Sequence, residues 1–270
     1  MTLNHKDLSQ MLEVAVVAAR LAGQRAMEEI NFIKASVKNN TELVTQADVR
    51  CQQIIIDRIK ETFSDHGFIG EEGKDGALLK QPPRASSPFW WVIDPIDGTN
   101  NFAHNLLSFA VSIAVMYEGV PIVGVIYSPP DDSMFTAVKD GPAQFNNSVI
   151  KASEKEIDRF EELGIESFFP DGIPKYMDAL GRRMRLRGLG TTALHLAYVA
   201  KGSMVGAIMN KPKLWDIAAG SLIAETAGAI VTDWSGNKIF PVDLDNYDGG
   251  PFNTLVANKK AHPEILKELK

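Results

Sequence analysis

Apolar positions near the start of the chain repeat with helical spacing. Between residues 8 and 30 they recur every three or four positions, and a second stripe covers residues 47–63. This spacing places the apolar side chains on one face of an α-helix. We therefore predict two amphipathic helices before any substantial strand.

The middle of the chain changes to short runs rich in β-branched and aromatic residues. These runs cover residues 89–93, 109–117, 122–127 and 134–138. Short runs separated by turn sequences such as Glu118-Gly119 favour antiparallel strands linked by hairpins. Residues 73–88 contain many Gly, Pro and Ser residues, which predicts a surface loop.

The second half alternates predicted strands and helices without a regular rhythm. The predicted segments are a strand at 184–187, a helix at 191–200, a strand at 204–209 and a helix at 216–227. This mixture indicates an α+β fold rather than a β/α barrel. We predict a single unit over residues 1–270, made of two halves (about 1–150 and 151–270) that share one active site.

Composition and charge exclude several classes of protein. The 270 residues include 28 Lys and Arg against 34 Asp and Glu, a net charge of -6 that argues against general nucleic-acid binding. The single cysteine, Cys51, allows neither an internal disulfide nor a thiolate zinc cage. The sequence has no apolar run long enough for a membrane helix and does not start with a secretion-signal pattern. We therefore expect a cytoplasmic protein.

Two aspartates follow the apolar run at residues 89–93. Pro95 fixes its own φ and Gly98 permits a tight turn, so Asp94 and Asp97 should be held close together. Their mutual repulsion requires a nearby cation, and oxygen ligands select hard ions such as Mg²⁺, with Mn²⁺ or Ca²⁺ as alternatives. The other interpretation is an Asp-rich turn that only caps a strand.

Two further acidic segments favour a metal site. Glu71 and Glu72 follow a short apolar run, and only one of two consecutive side chains in an extended segment can face a given site. Asp216 lies beside Trp215 at the start of a predicted helix, although taken alone it is typical of an N-cap.

Together these segments resemble the inositol monophosphatase family of magnesium-dependent, lithium-sensitive phosphatases. The shared motifs are Gly-Glu-Glu at residues 70–72, Trp-Val-Ile-Asp-Pro-Ile-Asp-Gly-Thr-x-x-Phe at 91–102 and Trp-Asp-x-Ala-Ala-Gly at 215–220. They occur in the family's order and at its usual separations, over nearly the whole chain. The resemblance implies a layered α-β-α-β-α sandwich of the sugar phosphatase type, usually found as a homodimer.

The resemblance also implies a role for individual residues at the metal site. The ligands of two or three Mg²⁺ ions would be Glu71, Asp94, the carbonyl of Ile96, Asp97 and Asp216. The Thr99 hydroxyl, in contact with Asp48, would help to take a proton from the attacking water. Glu71 would be a catalytic residue together with these two.

Other implied roles concern the substrate. The backbone amides of Gly98 and Thr99 would form part of a phosphate cradle, and Thr192 would lie near the leaving group. Lys38 matches the lysine of a mobile loop that approaches the metals in relatives.

The predicted substrate contacts depart from the inositol-specific pattern. Met209 and Val205 align with acidic residues that bind sugar hydroxyls in those relatives, and neither can accept a hydrogen bond as a carboxylate does. Asn210 could substitute if the loop shifts by one residue. The expected function is therefore hydrolysis of a small phosphate monoester, such as an inositol or related polyol or sugar phosphate, by metal-activated water.

Two alternatives remain open. The first is a relative specialised for histidinol phosphate, fructose 1,6-bisphosphate or a nucleotide 3′-phosphate. The second is a regulatory module that retains the metal site but acts mainly through a protein partner.

Two other patterns have simpler interpretations. Residues 188–193 fit a dinucleotide-binding loop, but no acidic residue follows about 20 positions later, so close packing of a helix start explains them better. Four arginines, at positions 182, 183, 185 and 187, favour a solvated strand face or a subunit contact.

Overall fold

The computed structural model describes residues 4–32, 35–38, 42–84, 87–170 and 172–269, without the side chains of residues 35–38, 42–44 and 75. The helices are α1 (His5–Glu29), α2 (Gln46–Lys60), α3 (Thr99–Ala103), α4 (Lys175–Gly181), α5 (Thr192–Ala200), α6 (Leu214–Thr226) and α7 (Ala261–Glu268). The strands are β1 (Ala35–Lys38), β2 (Glu42–Thr45), β3 (Gly67–Gly70), β4 (Leu79–Gln81), β5 (Phe89–Asp97), β6 (Ala110–Tyr117), β7 (Val120–Ser128), β8 (Ser133–Val138), β9 (Gln144–Phe145), β10 (Ser148–Val149), β11 (Glu162–Ile165), β12 (Arg185–Gly188), β13 (Gly206–Met209), β14 (Ile230–Asp233) and β15 (Thr254–Ala257).

Most of the strands belong to two mixed sheets. The larger sheet has eight strands in the order β10-β9-β8-β7-β6-β5-β3-β4, and the smaller has five in the order β12-β11-β13-β15-β14. Strands β3 and β5 are parallel, as are the three neighbours β12, β11 and β13. Parallel neighbouring strands end at the same edge of a sheet, so the residues that follow those strands lie close together at that edge.

Helices cover both sheets in alternating layers. Trp91 and Ile93 of β5 pack with α1 and α2 on one face of the larger sheet. Trp90 and Val92 point to the other face and pack with α5 and α6, which also contact the smaller sheet through residues such as Val256. On the far side of the smaller sheet, α4 and α7 close the structure. The predicted α+β, α-β-α-β-α sandwich is confirmed.

Alternation along β5 explains why its sequence is almost uniformly apolar. Successive side chains of a strand point to opposite faces, and both faces of β5 are covered by helices. All nine residues of β5 are buried. Its two aspartates are therefore placed in an interior that cannot solvate them as water does.

The structure also differs from the sequence predictions in several places. The predicted loop at 73–88 contains the short strand β4, and the hairpin of β1 and β2 separates the two long helices. Strand β5 continues to Asp97, because irregular pairing with β6 between Asp94 and Asp97 carries the ladder through Pro95. No helix within the described ranges is both long and apolar enough to cross a bilayer.

Candidate active site

Three carboxylates from two distant parts of the chain meet near the end of β5. Asp94 and Asp97 lie on β5 and Asp216 in the first turn of α6, and ligand oxygens of all three lie within 4.8 Å of one another. Glu71 lines the same cleft, directly after β3. Gly70 of β3 pairs with Ile93 in the parallel register, so Glu71 and Asp94 follow neighbouring strand positions.

The electrostatics of this cluster are unfavourable without a cation. Burial raises the pKa of Asp94 well above its usual range, and repulsion from Glu71, Asp97 and Asp216 raises it further. Burial also raises the pKa of Asp97 to about 6, although hydrogen bonds at its carboxylate oppose the change. Close, desolvated carboxylate oxygens are the donor set that a hard divalent cation such as Mg²⁺ prefers, so these residues fit the predicted metal.

The Asp97 carboxylate is held by the second half of the chain. It accepts hydrogen bonds from the Thr191 hydroxyl, from the amide of Thr192 at 3.2 Å and from the amide of Ala193 at 2.8 Å. These groups surround the N-terminus of α5, where orphan amides favour an anionic partner. Sequence analysis did not identify Thr191, although a threonine before an apolar helix is a common N-cap signal.

Local hydrogen bonds orient the other two aspartates of the cluster. The Ile96 amide donates to Asp94 Oδ1 at 3.0 Å, within the turn that Pro95 stiffens. The Lys213 amide donates to Asp216 Oδ2 at 2.6 Å, which anchors that carboxylate at the start of α6. The backbone therefore fixes the cluster from both sides.

Thr99 and Asp48 form a pair beside the cluster. The Thr99 hydroxyl lies within hydrogen-bond distance of Asp48 Oδ1, at 3.1 Å, and of the Ile96 carbonyl, at 3.0 Å. Asp48 is fully buried, and its other oxygen accepts from the amide and hydroxyl of Thr45 in a capping box at the start of α2. Burial raises the pKa of Asp48 to about 6. The pair predicted from the sequence is thus in contact.

Gly98 makes the sharp transition from β5 into α3. Its φ is +96°, and a Cβ there would lie 3.1 Å from the Ser108 carbonyl oxygen and 3.2 Å from that of Gly190. Both the backbone conformation and the available space therefore require glycine. Gly98 and Thr99 line the same cleft as the carboxylates, which has a volume of about 620 Å³.

Of the two consecutive glutamates, only Glu71 lines the cleft. Glu72 is buried and does not line the cleft. Its backbone amide donates to Gln52 Oε1 at 3.0 Å and its carbonyl accepts from Gln52 Nε2 at 2.5 Å. Lys38 ends β1, and its side chain lies outside the described part of the structure.

A smaller pocket adjoins the carboxylate cleft. It has a volume of about 200 Å³ and contains Thr192 and Met209 among its lining residues. Both pockets include Asp97, Ser167, Phe168 and Gly190, so they form one continuous depression. Val205 instead packs between the smaller sheet and its outer helices, because it precedes the first residue of β13.

The small pocket also contains Glu166, which sequence analysis missed. Glu166 follows β11, and its Oε1 accepts a hydrogen bond from the amide of Asn210, which follows β13. Burial raises the pKa of Glu166 to about 7. An acidic residue directly after an apolar strand was the available signal, but its significance depends on which strands are neighbours.

The dinucleotide-like loop at residues 188–193 and the arginine-rich segment at 182–187 both have structural roles. A Cβ at Gly190 would lie 2.7 Å from Asn101 Nδ2, and this same amide donates to the Leu189 carbonyl at 2.7 Å, so residues 188–193 form a tightly packed turn. The four arginines lie on or near the exposed edge strand β12. Arg185 donates to the Arg159 carbonyl at 3.3 Å, and the other three make ion pairs. The pairs are Arg182 with Asp178, Arg183 with Glu264 and Arg187 with Glu162.

Comparisons with known proteins agree with this architecture. Residues 7–270 match the inositol monophosphatase family. The chain is 35% identical to Nus factor SuhB of Vibrio cholerae (84% of this chain, 86% of the relative). It is 32% identical to an inositol-1-monophosphatase of Mesorhizobium japonicum (97% of each).

A solved structure shows the same fold. The extragenic suppressor protein suhB from Bartonella henselae superposes with a TM-score of 0.85 at 29% identity, covering 96% of this chain and 97% of that one. Sequence and structure together show that this chain belongs to the inositol monophosphatase family.

Proposed function

We propose that this protein hydrolyses a small phosphate monoester in a magnesium-dependent reaction. The observation that carries the proposal is the cluster of Asp94, Asp97 and Asp216 that lines a cleft. Three acidic side chains so close together cost stability unless a cation joins them. A protein of net charge -6 also needs bound cations to attract an anionic ester.

The proposed metal ligands are the acidic residues of the cleft and one carbonyl. They are Glu71, Asp94, the Ile96 carbonyl, Asp97 and Asp216, which would hold two or three Mg²⁺ ions, with Mn²⁺ as an alternative. Bound Mg²⁺ supplies Lewis acidity, which makes water a better nucleophile and offsets charge on the phosphoryl oxygens.

Thr99 and Asp48 are proposed to help take a proton from the attacking water. A hydroxyl that donates a hydrogen bond to a buried carboxylate can accept a hydrogen bond from a water molecule with its lone pairs, and so orients that water. The 3.1 Å contact between Thr99 Oγ1 and Asp48 Oδ1 supports this role. Glu71, which lines the cleft, is proposed to act with them on the attacking water.

The substrate is proposed to span both pockets. The amides of Gly98 and Thr99 would contact the phosphate, and the alcohol would enter the smaller pocket beside Thr192 and Met209. Lys38 is proposed to approach the metals from its hairpin. Histidinol phosphate, fructose 1,6-bisphosphate and nucleotide 3′-phosphates remain alternative substrates.

Family membership extends the proposal to the whole molecule. We expect residues about 1–150 and 151–270 to act as one unit, since Asp94 and Asp216 come from different halves and lie in one cluster. A cytoplasmic homodimer with lithium-sensitive activity is the corresponding expectation for assembly and inhibition.

A second candidate is a Nus-factor role, favoured by the relatives named Nus factor SuhB. In that case the protein would act by binding partners. The three carboxylates of Asp94, Asp97 and Asp216, here named the metal cluster, would serve stability or regulation. The ion pairs of Arg182, Arg183 and Arg187 leave those arginines engaged within this chain, which weighs against general nucleic-acid binding.

Phosphate release from a panel of monoesters, with Mg²⁺ and with EDTA, tests the proposal. We expect release only with Mg²⁺, with the ranking of esters identifying the substrate class. Failure to release phosphate from any ester would overturn the enzymatic proposal and favour the Nus-factor role.

A further inference from the structure

The pocket beside the metal cluster is built where three parallel strands end. Strands β12, β11 and β13 are neighbours, and their carboxyl ends lead into Leu189, Glu166 and Asn210. The crevice beyond such ends is a common ligand position in sheets of this kind. The N-terminus of α5 forms another side of the pocket, through Thr191 and Thr192.

Glu166 is fixed in this pocket by the neighbouring strand. In the register of β11 with β13, Leu163 pairs with Gly206 and Gly164 with Ala207, which brings Glu166 level with Met209. The hydrogen bond from the Asn210 amide holds one carboxylate oxygen in place. The side chain is half-buried and lines the pocket, so it is both oriented and open to a ligand.

The other polar groups around this pocket have different partners. Asp97 accepts from Thr191, Thr192 and Ala193 and belongs to the metal cluster. His195 is 2% exposed, and its Nε2 lies 3.2 Å from both the Leu189 amide nitrogen and the Arg187 carbonyl oxygen. Met209 offers only a weakly accepting thioether. Among the residues that line the pocket, Glu166 is thus the acidic side chain outside the metal cluster.

We propose that Glu166 is a specificity-determining residue that accepts a hydrogen bond from a second hydroxyl group of the substrate's alcohol. The inference rests on the proposed phosphatase function and adds to it a carboxylate that follows β11, whereas position 209, which aligns with an acidic residue in inositol-specific relatives, is Met in this chain. An ester held by its phosphate at the metal cluster extends its alcohol into the small pocket, where the Glu166 carboxylate is the strongest acceptor. A raised pKa agrees with this role, because a partly desolvated carboxylate gains more from such a bond.

The test compares esters that differ only in hydroxyl groups. The first pair is inositol 1-phosphate and cyclohexyl phosphate, and the second is glycerol 2-phosphate and isopropyl phosphate. The ratio of kcat/KM within each pair is measured with Mg²⁺ for the wild type and for the variants Glu166→Ala and Glu166→Gln. Glu161→Gln, which alters a carboxylate paired with Lys155 on the same segment, is the matched control.

We expect the wild type to favour the hydroxylated member of at least one pair. Glu166→Ala should lower kcat/KM for that ester about 10- to 100-fold, the usual cost of a hydrogen bond to a charged group, and leave its hydroxyl-free partner within about twofold. Glu166→Gln retains an acceptor oxygen and should lose less. The control should leave both ratios unchanged.

The results that would overturn the inference can be told apart by the kcat/KM values of the individual esters. Equal losses for both members of a pair would show a structural role for Glu166. Unchanged kcat/KM values for both members of each pair in Glu166→Ala, or a wild type that favours the hydroxylated ester in neither pair, would show that Glu166 does not contact the alcohol. If the wild type hydrolyses none of the four esters, the proposed function fails as well.

Discussion

The metal cluster and the small pocket beside it differ in how deeply their acidic side chains are buried and in how many like charges surround them. In the cluster, Asp94 and Asp97 are almost fully buried, close to like charges, and fixed by backbone amides. In the pocket, Glu166 is half-buried and lies among Met209, Thr192 and the exposed Phe168. The first region concentrates charge that requires an ion. The second offers one acceptor in mainly neutral surroundings.

This contrast indicates how one fold can serve different substrates. Under the proposed function, changing any carboxylate of the cluster alters the charge that would hold the cation and should affect every substrate equally. Changing a residue of the pocket should alter only the contacts with the alcohol. The separation is physical, because Asp97 is the one carboxylate of the cluster that also lines the small pocket.

The largest expected effect is that of Asp94→Asn. Removing one charge from the cluster should lower Mg²⁺-dependent turnover at least about 1,000-fold for every ester, because metal binding and its catalytic effect are both impaired. The same change should raise the melting temperature in EDTA, because a buried repulsion is removed. Phosphate release and thermal unfolding measure the two effects, with Asp140→Asn as a surface control. Full activity in Asp94→Asn would contradict the proposed metal site.

Asp48→Asn should have the next largest effect. An amide cannot stabilise the proton transfer through Thr99 as a carboxylate does, so kcat should fall about 100- to 1,000-fold. KM should change little, since Asp48 is buried behind Thr99. Steady-state kinetics of Asp48→Asn, Thr99→Ala and the double variant test this coupling. Losses that simply multiply in the double variant would argue against one functional pair.

Thr191→Val tests whether the second half of the chain orients Asp97, a proposed metal ligand. Loss of the hydroxyl that donates to this carboxylate should weaken Mg²⁺ affinity about tenfold, the lower range for groups that support metal ligands. The readout is the rise in melting temperature during a Mg²⁺ titration, which needs no substrate. Thr191→Ser should restore the wild-type affinity. A variant that loses stability but keeps its Mg²⁺ affinity would limit Thr191 to capping α5.

The smallest expected effect is that of Met209→Glu. Met209 is 1% exposed, so a carboxylate there must rearrange to reach the pocket. We expect the ratio of kcat/KM for inositol 1-phosphate over cyclohexyl phosphate to rise about threefold when Met209→Glu is added to Glu166→Ala, since a charged hydrogen bond is regained. An unchanged ratio would show that position 209 does not contact the alcohol.

The sequence predicted the metal cluster well because its parts are local. The segments containing Asp94 and Asp216 each combine an acidic residue with the end of a strand or the start of a helix, and those features are visible in a few neighbouring residues. The resemblance to the inositol monophosphatase family then indicated that the segments converge. The long helices and antiparallel strands were predictable for the same reason, since their periodicity is a local property.

The parts that were missed depend on contacts between distant residues. Thr191 reaches Asp97, and Glu166 accepts from Asn210, through the order of strands in two different sheets. Val205 and Met209 are four positions apart, yet they pack on opposite sides of the smaller sheet, because β13 begins only after Val205. No local pattern specifies where a short strand begins or which strand lies beside it.

The amino-acid sequence by itself determined the types of segment, the acidic residues and the oxygen chemistry that selects a hard cation, since these follow from residue identity and short-range spacing. The tertiary structure alone decided which carboxylates share one interior and which acceptor lines the pocket beside them. Strand order and helix packing set distances between residues far apart in the chain, and both burial and charge repulsion depend on those distances.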